Sequence, residues 1–513
     1  MTGELKRKRI VLALGAGMYA LFSAFGWQAQ HLEKSRPLQA LGMACVLAVP
    51  AWLLLRMLFE QGERGRKNAA GKPFQTRTAF FVIFACYVPM FLISFPGAFA
   101  YDVPFQLEQV FTGQYSAHHP LLHTLLLGGC AALGRMLGSI NLGAALYTLL
   151  QMLGLSACFA LTCASVSRQS GARAAWRSAL FFAVYPLHMM LAVNATKDVL
   201  FSGLFVLALA LAREALVLDR KDWKICTGIV LSGAGMILLR NNALYAVAVW
   251  LVLLPIVCGR RARAILLTAL LAVVLSMGAA RVLSAATGAA RGDLCEMLSW
   301  PIQQLARARN LHADVLTEQE KQAMDEIMPG DSWKLYDPTI SDPVKFEFDT
   351  QRLLDDPGKY VGLYLSVGAK CPGAYLDALL KHTYSFFYPY SEYGVSGYYL
   401  QMGISEKYYE WCDFERITSK SLFPRVLASL SWRFGAKGAM QIPVVGYLFN
   451  MGLIVWTMLY FVLRDLYFGR WQAFAAGMLP VLLWGTFLLG PVMAGRYIYP
   501  FVCCLPVLAC RAE

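Results

Sequence analysis

Twelve stretches of this chain are apolar over roughly the length of a bilayer-spanning helix: 10–28, 38–58, 78–100, 141–166, 174–191, 198–217, 224–239, 242–258, 264–284, 442–463, 471–489 and 495–511. A hydrocarbon layer about 30 Å thick needs about 20 residues of helix to cross it. Lipid offers no hydrogen bonds, so such segments must satisfy their own backbone groups, which a helix does. With 58% hydrophobic and 15% charged residues and a mean hydropathy of +0.49, the 513-residue chain has more apolar surface than a soluble core can hide. The expected fold class is an all-α polytopic membrane protein, a bundle of about 12 transmembrane helices with interfacial helices on its outer face. Residues 1–284 form an N-terminal transmembrane region with an outer loop at 101–140, 285–441 an extracytoplasmic region, and 442–513 a C-terminal transmembrane region.

The net charge of +14 is spread over short loops between apolar runs. A nucleic-acid site would gather it on one folded face, so no nucleic-acid partner is expected. Basic loops instead report topology. The run 121–138 decides it. If that run lies in the interface, ten basic residues (Arg168, Arg173, Arg177, Arg213, Arg220, Lys221, Lys224, Arg260, Arg261 and Arg263) are cytoplasmic, together with Lys6 to Arg9 and Arg64, Arg66, Lys67 and Lys72. If it crosses, those ten fall outside, against the positive-inside rule. The expected arrangement is a multi-pass plasma-membrane protein with both termini cytoplasmic and an uncleaved first span. It puts the Asp102 loop, the Lys197 and Arg240 turns and the region 285–441 on the outer side. The thirteen cysteines make no CxxC pair, although two of Cys295, Cys371 and Cys412 share a region in which they could pair.

Within 285–441, Thr317 and Glu320 form a capping box ahead of an amphipathic helix. The stretch CPGAYLDALLKHTYSFFYPYSEYGVSGYY reads as a membrane-facing helix followed by a loop rimmed with aromatics.

Four outer-face clusters carry candidate chemistry. Asp102 opens a polar loop after a span, and Pro96, Gly97 and Pro104 should break the helix on either side and hold the acid in a turn, as a general base needs. Glu108, Tyr115, His118 and His119 follow it; adjacent histidines rarely face one ion, so substrate orientation is the expected role rather than metal ligation. Lys197 and Asp198 open another span. Arg240, with Asn241 and Asn242, interrupts two apolar runs, where an arginine is costly unless paired or bound to an anion. Arg496 and Tyr497 follow a turn broken by glycine and proline. A solvated span-end acid and snorkelling cations account equally well for each cluster taken singly. Three cations on one side near membrane depth, Lys197, Arg240 and Arg496, suggest a shared anion such as a lipid phosphate.

In order and sidedness these residues resemble the type C membrane glycosyltransferases, the GT-C superfamily, which includes the protein O-mannosyltransferases and the bacterial aminoarabinose transferases. The resemblance rests on the acid at Asp102, Gly113 to Tyr115, His119 to Leu121, Lys197-Asp198, Arg240 to Asn242, and Arg496 to Pro500. It departs at Val103, where protein O-mannosyltransferases carry a second acid. Ser299 to Asn310, SWPIQQLARARN with Gln304 and Arg307 as further substrate-binding candidates, is similar to a bacterial branch of the superfamily. The resemblance implies a GT-C-like bundle. It implies transfer of a sugar from a polyprenyl-phosphate donor to an extracytoplasmic glycan, lipid or protein, with inversion and Asp102 as base. With one acid and no DxD, no cofactor is expected and a divalent metal is not required. Two other readings use the same cations: a transporter or flippase of a lipid-linked or anionic solute, and a polysaccharide polymerase or ligase.

Overall fold

The computed structural model describes residues 3–63, 73–100, 102–292, 294–392, 404, 412–435 and 443–511. The expected aromatic-rimmed loop falls largely on 393–403, and Arg64, Arg66, Lys67 and Lys72 on 64–72, both outside the described residues. Among the described residues the regular elements are helices, joined by four isolated backbone bridges. Seven helical stretches are long and apolar enough to cross a membrane: Gly3–His31, Pro37–Gln61, Thr76–Ile93, Ile140–Val184, Lys197–Val217, Asn242–Thr287 and Trp471–Leu488.

In chain order the helices are α1 (Gly3–His31), α2 (Pro37–Glu63), α3 (Thr76–Ile93), α4 (Asp102–Thr112), α5 (Leu121–Met136), α6 (Ile140–Val184), α7 (Pro186–Ala192), α8 (Lys197–Val217), α9 (Trp223–Leu239), α10 (Asn242–Cys258) and α11 (Arg263–Thr287). Two of the long stretches are hairpin-like pairs. Gly171 breaks α6 with a φ of 82°, and Gly259, at φ 54°, separates α10 from α11. Each apolar run therefore lies on a helix, but boundaries shift where local chemistry stops the chain. The run 78–100 ends as a helix at Ile93, ahead of Pro96 and Gly97. The run 442–463 passes through a 3-10 turn at Val445–Phe449 and starts its α-helix at Met451, where the Asn450 side chain caps the Leu453 amide at 2.8 Å.

The region after α11 builds a small core of its own from α12 (Ser299–Leu311), α13 (Glu318–Ile327), α14 (Asp342–Lys345), α15 (Thr350–Asp355), α16 (Pro357–Lys370) and α17 (Pro372–Thr383). Ile302, Leu305, Met324, Val344 and Val367 fill it. The capping box forms: Thr317 Oγ1 accepts from the Glu320 amide at 3.2 Å, and Glu320 Oε2 accepts from the Thr317 amide at 2.8 Å. The pairing open to Cys295, Cys371 and Cys412 does not form: no disulfide joins any of them among the described residues. This unit docks on the chain before Arg496: Trp300 Nε1 donates to the Leu488 carbonyl at 2.7 Å and the Ser341 amide to that of Pro491 at 2.8 Å.

The remaining helices are α18 (Pro424–Gly435), α19 (Met451–Tyr467), α20 (Trp471–Leu488) and α21 (Tyr499–Leu508). The most enclosed is α8, which packs against α6, α9, α20 and α21. Between lipid-compatible surfaces apolar burial gives little drive, and close backbone approach matters more. Thus α5 crosses α6 with Gly134 against Gly143, where a Cβ on Gly134 would fall 2.2 Å from the Gly143 nitrogen.

Candidate functional site

The site begins where α3 stops. Ser94 Oγ donates back to the Met90 carbonyl at 2.7 Å, and Thr148 of α6 donates to the Pro96 carbonyl at 2.8 Å. Gly97 follows at φ 142°, with Thr148 so near that a Cβ would meet its Oγ1 at 2.4 Å, so only glycine fits without displacing the turn. The next residue pairs with the segment leading into α8: the Ala98 amide donates to the Val193 carbonyl at 2.8 Å and the Ala195 amide to that of Ala98 at 2.9 Å. Two loops far apart in sequence are thereby tied side by side. Each then opens a helix, α4 with Asp102 and α8 with Lys197 and Asp198.

That tie explains the first contact. Lys197 Nζ donates to Asp102 Oδ2 at 3.2 Å, and Arg496, on the 3-10 turn Gly495–Ile498, brings its Nη2 to 3.8 Å from the same oxygen. Asp198 suits the positive end of α8. It pairs with Arg240 Nη1 and lies 3.4 Å from Arg496 Nε. Arg240 leaves α9 in an extended conformation and donates through Nε to Asn242 Oδ1 at 3.0 Å; Asn242 in turn donates to Thr486 Oγ1 at 3.0 Å. The Arg240 guanidinium carbon sits 4.4 Å from both the Phe487 and Tyr497 rings, which stack at 5.4 Å. The structure thus gathers Asp102, Lys197, Asp198, Arg240, Arg496 and Tyr497 into one place from four separate stretches of the sequence.

Among the described residues three cations meet two carboxylates, a charge of 3 − 2 = +1 on side chains that are only 2–28% exposed. Uncompensated charge in a poorly hydrated site is expensive, so this surplus favours an anion. Burial pushes the Asp102 carboxyl up, but Lys197 and Arg496 outweigh it and hold the group well below the usual carboxylate range. His119 is buried with Nδ1 3.4 Å from Lys197 Nζ. Burial first, and Lys197 second, depress its pKa to about 3, so the ring stays neutral at pH 7.

Other candidates take other places. Pro104 does not break a helix; it sits in the first turn of α4, where its missing amide costs nothing. Glu108 is half-buried farther along α4, outside the ionic cluster. Tyr115 contributes its carbonyl, which accepts from the Ala290 amide at 2.9 Å. The His118 and His119 rings meet edge to face at 4.5 Å but face different partners, His118 lying 3.8 Å from Glu296. Asn241 is exposed, and Asn242 makes the bonds instead. Gln304 and Arg307 have partners within the unit α12–α17: Gln304 accepts from Tyr364 at 2.5 Å, and Arg307 pairs with Asp377 at 3.3 Å. Among the described residues no group of three or more His, Cys, Asp or Glu could hold a metal ion.

Beneath the cluster runs a buried polar chain that sequence reading missed. His123 bridges Gln106 at 3.0 Å and Tyr147 at 2.7 Å; Tyr147 donates to Gln151 at 3.0 Å, and Gln151 donates to the Ala192 and Asn194 carbonyls. It props the loop that presents Lys197. The available signal was polar residues four apart, His119 with His123 and Tyr147 with Gln151, on otherwise apolar faces.

A family described as one of unknown function, DUF6020, matches residues 111–512. The matched stretch takes in Lys197, Asp198, Arg240 and Arg496 and begins just after Asp102. No curated protein and no solved structure matches the chain.

Proposed function

Because the chain belongs to the DUF6020 family, whose function is open, we propose its activity from the site itself: transfer of a sugar from a polyprenyl-phosphate donor to a hydroxyl acceptor at the membrane surface, by a GT-C-type enzyme. One observation carries the reading, the surplus positive charge of the Asp102 cluster, with Asp102 its most accessible carboxylate at 28% exposure. In the arrangement proposed, twelve helices cross the bilayer and α5 lies in the interface, the placement that keeps the basic loops on one side. The cluster is then on the outer face of the plasma membrane, where a lipid-borne phosphate and a water-borne acceptor meet.

The donor phosphate settles against Lys197 and Arg496 and takes over the contacts they make with Asp102. Losing those partners restores basicity to the carboxylate as the donor arrives. The acceptor oxygen then bonds to the anomeric carbon while the bond from that carbon to the phosphate oxygen breaks. Asp102 receives the hydroxyl proton, and the electron pair leaves with polyprenyl phosphate, inverting the anomeric centre. Charge grows on the departing phosphate, and the cations stabilise it most at that moment. Arg240, clamped by Asp198 and two aromatic rings, keeps Asp198 from neutralising Arg496 alone. The order of motifs that resembles GT-C enzymes supports the same reading.

The test is release of free polyprenyl phosphate when the purified full chain meets radiolabelled polyprenyl-phosphate hexose or pentose and a mixed glycan and lipid acceptor fraction. Arg240→Ala or Arg496→Ala should cost about 2–5 kcal/mol in transition-state stabilisation. Arg→Lys should recover only part, because the planar fork is lost. A wild-type protein that releases nothing yet carries the intact donor across proteoliposomes is a transporter instead.

A further inference from the structure

At the opposite end of α8 lies a cavity of about 720 Å³ that the proposed reaction does not use. From Asp198 to Glu214 is 214 − 198 = 16 residues, about 24 Å along the helix, so this space is remote from Asp102. We propose that it is a binding site for the phosphate headgroup of an anionic membrane phospholipid.

Four arginines line it: Arg168, Arg173, Arg177 and Arg511. The first is neutralised, giving two bonds to the fully buried Glu214 carboxylate at 2.6 and 2.8 Å. Among the described residues the other three have no carboxylate partner. Arg173 and Arg177 stand four apart on one helix face, where like charges repel, and an anion between them reverses that term. The backbone adds to it. Because Gly171 breaks α6, the segment 172–184 starts a fresh helix whose first turn, with Arg173 and Ala174, also lines the cavity, and a helix start favours negative charge nearby.

The other wall fixes the chemical class. Phe181, Phe461 and Leu505, from α6, α19 and α21, offer apolar surface beside the guanidinium groups. A phosphate joined to acyl chains satisfies both walls at once, and the volume suits a headgroup with the first part of its chains. Basic pockets between transmembrane helices bind lipid headgroups by this combination.

Native mass spectrometry of the purified full chain, titrated separately with phosphatidylglycerol, phosphatidylcholine and inorganic phosphate, tests the site. The expected result is at least tenfold preference for phosphatidylglycerol over phosphatidylcholine, lost in the Arg173→Gln/Arg177→Gln double variant, with no displacement by millimolar inorganic phosphate. Arg511→Gln is the second variant, since it leaves the Ser170 bond to its own carbonyl at 3.2 Å in place; it should weaken retention several-fold, and phosphatidylglycerol should raise the melting temperature of wild type more than that of either variant. Equal retention of the two lipids, or variants that hold phosphatidylglycerol as wild type does, would reduce the arginines to a solvated basic face. Displacement by inorganic phosphate would make the ligand a water-soluble phosphate and overturn the lipid assignment.

Discussion

One helix carries an ionic cluster at each end, and the two are built differently. At the Glu214 end the protein answers its buried charges with its own ion pairs and hydrogen bonds, and among the described residues only the cavity-lining Arg173, Arg177 and Arg511 beside them are left for a ligand. Glu214, with no exposure, accepts from Ser165, Arg168 and Arg220; the equally buried Arg213 donates to Gln169 at 2.6 Å and the Cys510 carbonyl at 2.8 Å; Arg464 donates to Asp465 and the carbonyls of Leu508 and Cys510. These bonds join α6, α8, α19 and α21, so this cluster is a staple. At the Lys197 end cations outnumber carboxylates three to two, and Arg240 faces aromatic rings. A saturated cluster specifies structure, whereas one with surplus charge and solvent access is prepared for a ligand.

Substituting one member of each cluster separates those roles. The largest effect expected is at Asp102. Asp102→Asn keeps shape and hydrogen-bonding reach, raises the cluster charge from +1 to +2 and removes the base. Turnover of polyprenyl-phosphate sugar should fall by about 10²–10⁴-fold while donor binding holds or tightens. Normal turnover on a folded preparation would remove Asp102 from the reaction and pass the role to Glu108 or His119.

Arg213→Met does the reverse. It removes the buried cation 3.7 Å from Asp465 and the donor to Gln169 Oε1, and losing one side of such a pair costs about 3–5 kcal/mol. Denaturation in detergent should show that loss, with transfer per folded molecule within about twofold of wild type. If Arg213→Met abolishes transfer without lowering stability, the two ends are coupled and the comparison fails.

Much of the Asp102 end was legible because its parts break rules that apolar helices otherwise keep. Lys197, Arg240 and Arg496 interrupt long hydrophobic runs, and a charge there needs a reason. The pairing was not legible. That Asp198 takes Arg240 depends on Asn242 and Thr486 turning the chain after α9, and that Asp102 reaches Lys197 depends on the bridge of Ala98 to Val193 and Ala195, backbone bonds that leave no side-chain pattern. Pro104 misled because a proline two residues into a helix and one that ends a helix look alike in sequence. Gln304 and Arg307 point elsewhere because the unit α12–α17 needs them for its own packing, a demand visible only once Tyr364 and Asp377 are packed beside them. The Glu214 end was hidden by its basic residues, which read as loop charges.

The smallest effect sharpens the comparison through pH. His119 is the one buried histidine in direct contact with a cation of the Asp102 cluster among the described residues, and its pKa falls from 6.5 to about 3 because burial and then Lys197 disfavour the charged ring. At pH 7 folded and unfolded chains both carry it neutral, and it adds no pH dependence. Between pH 6.5 and about 3 the unfolded chain takes up a proton that the folded chain refuses, so stability falls as pH falls, by up to about 1.4 kcal/mol per pH unit. Asp102 works at lower pH, since its contribution is intact above the ordinary carboxylate range and is lost only as pH drops toward its depressed folded value. His119→Gln should therefore flatten the stability curve between pH 7 and 5, sparing about 2 kcal/mol of the loss at pH 5. Chemical denaturation of both proteins at the two pH values measures it. Parallel curves would mean that the ring is hydrated and free to protonate, and that the Asp102 end is wetter than its packing implies.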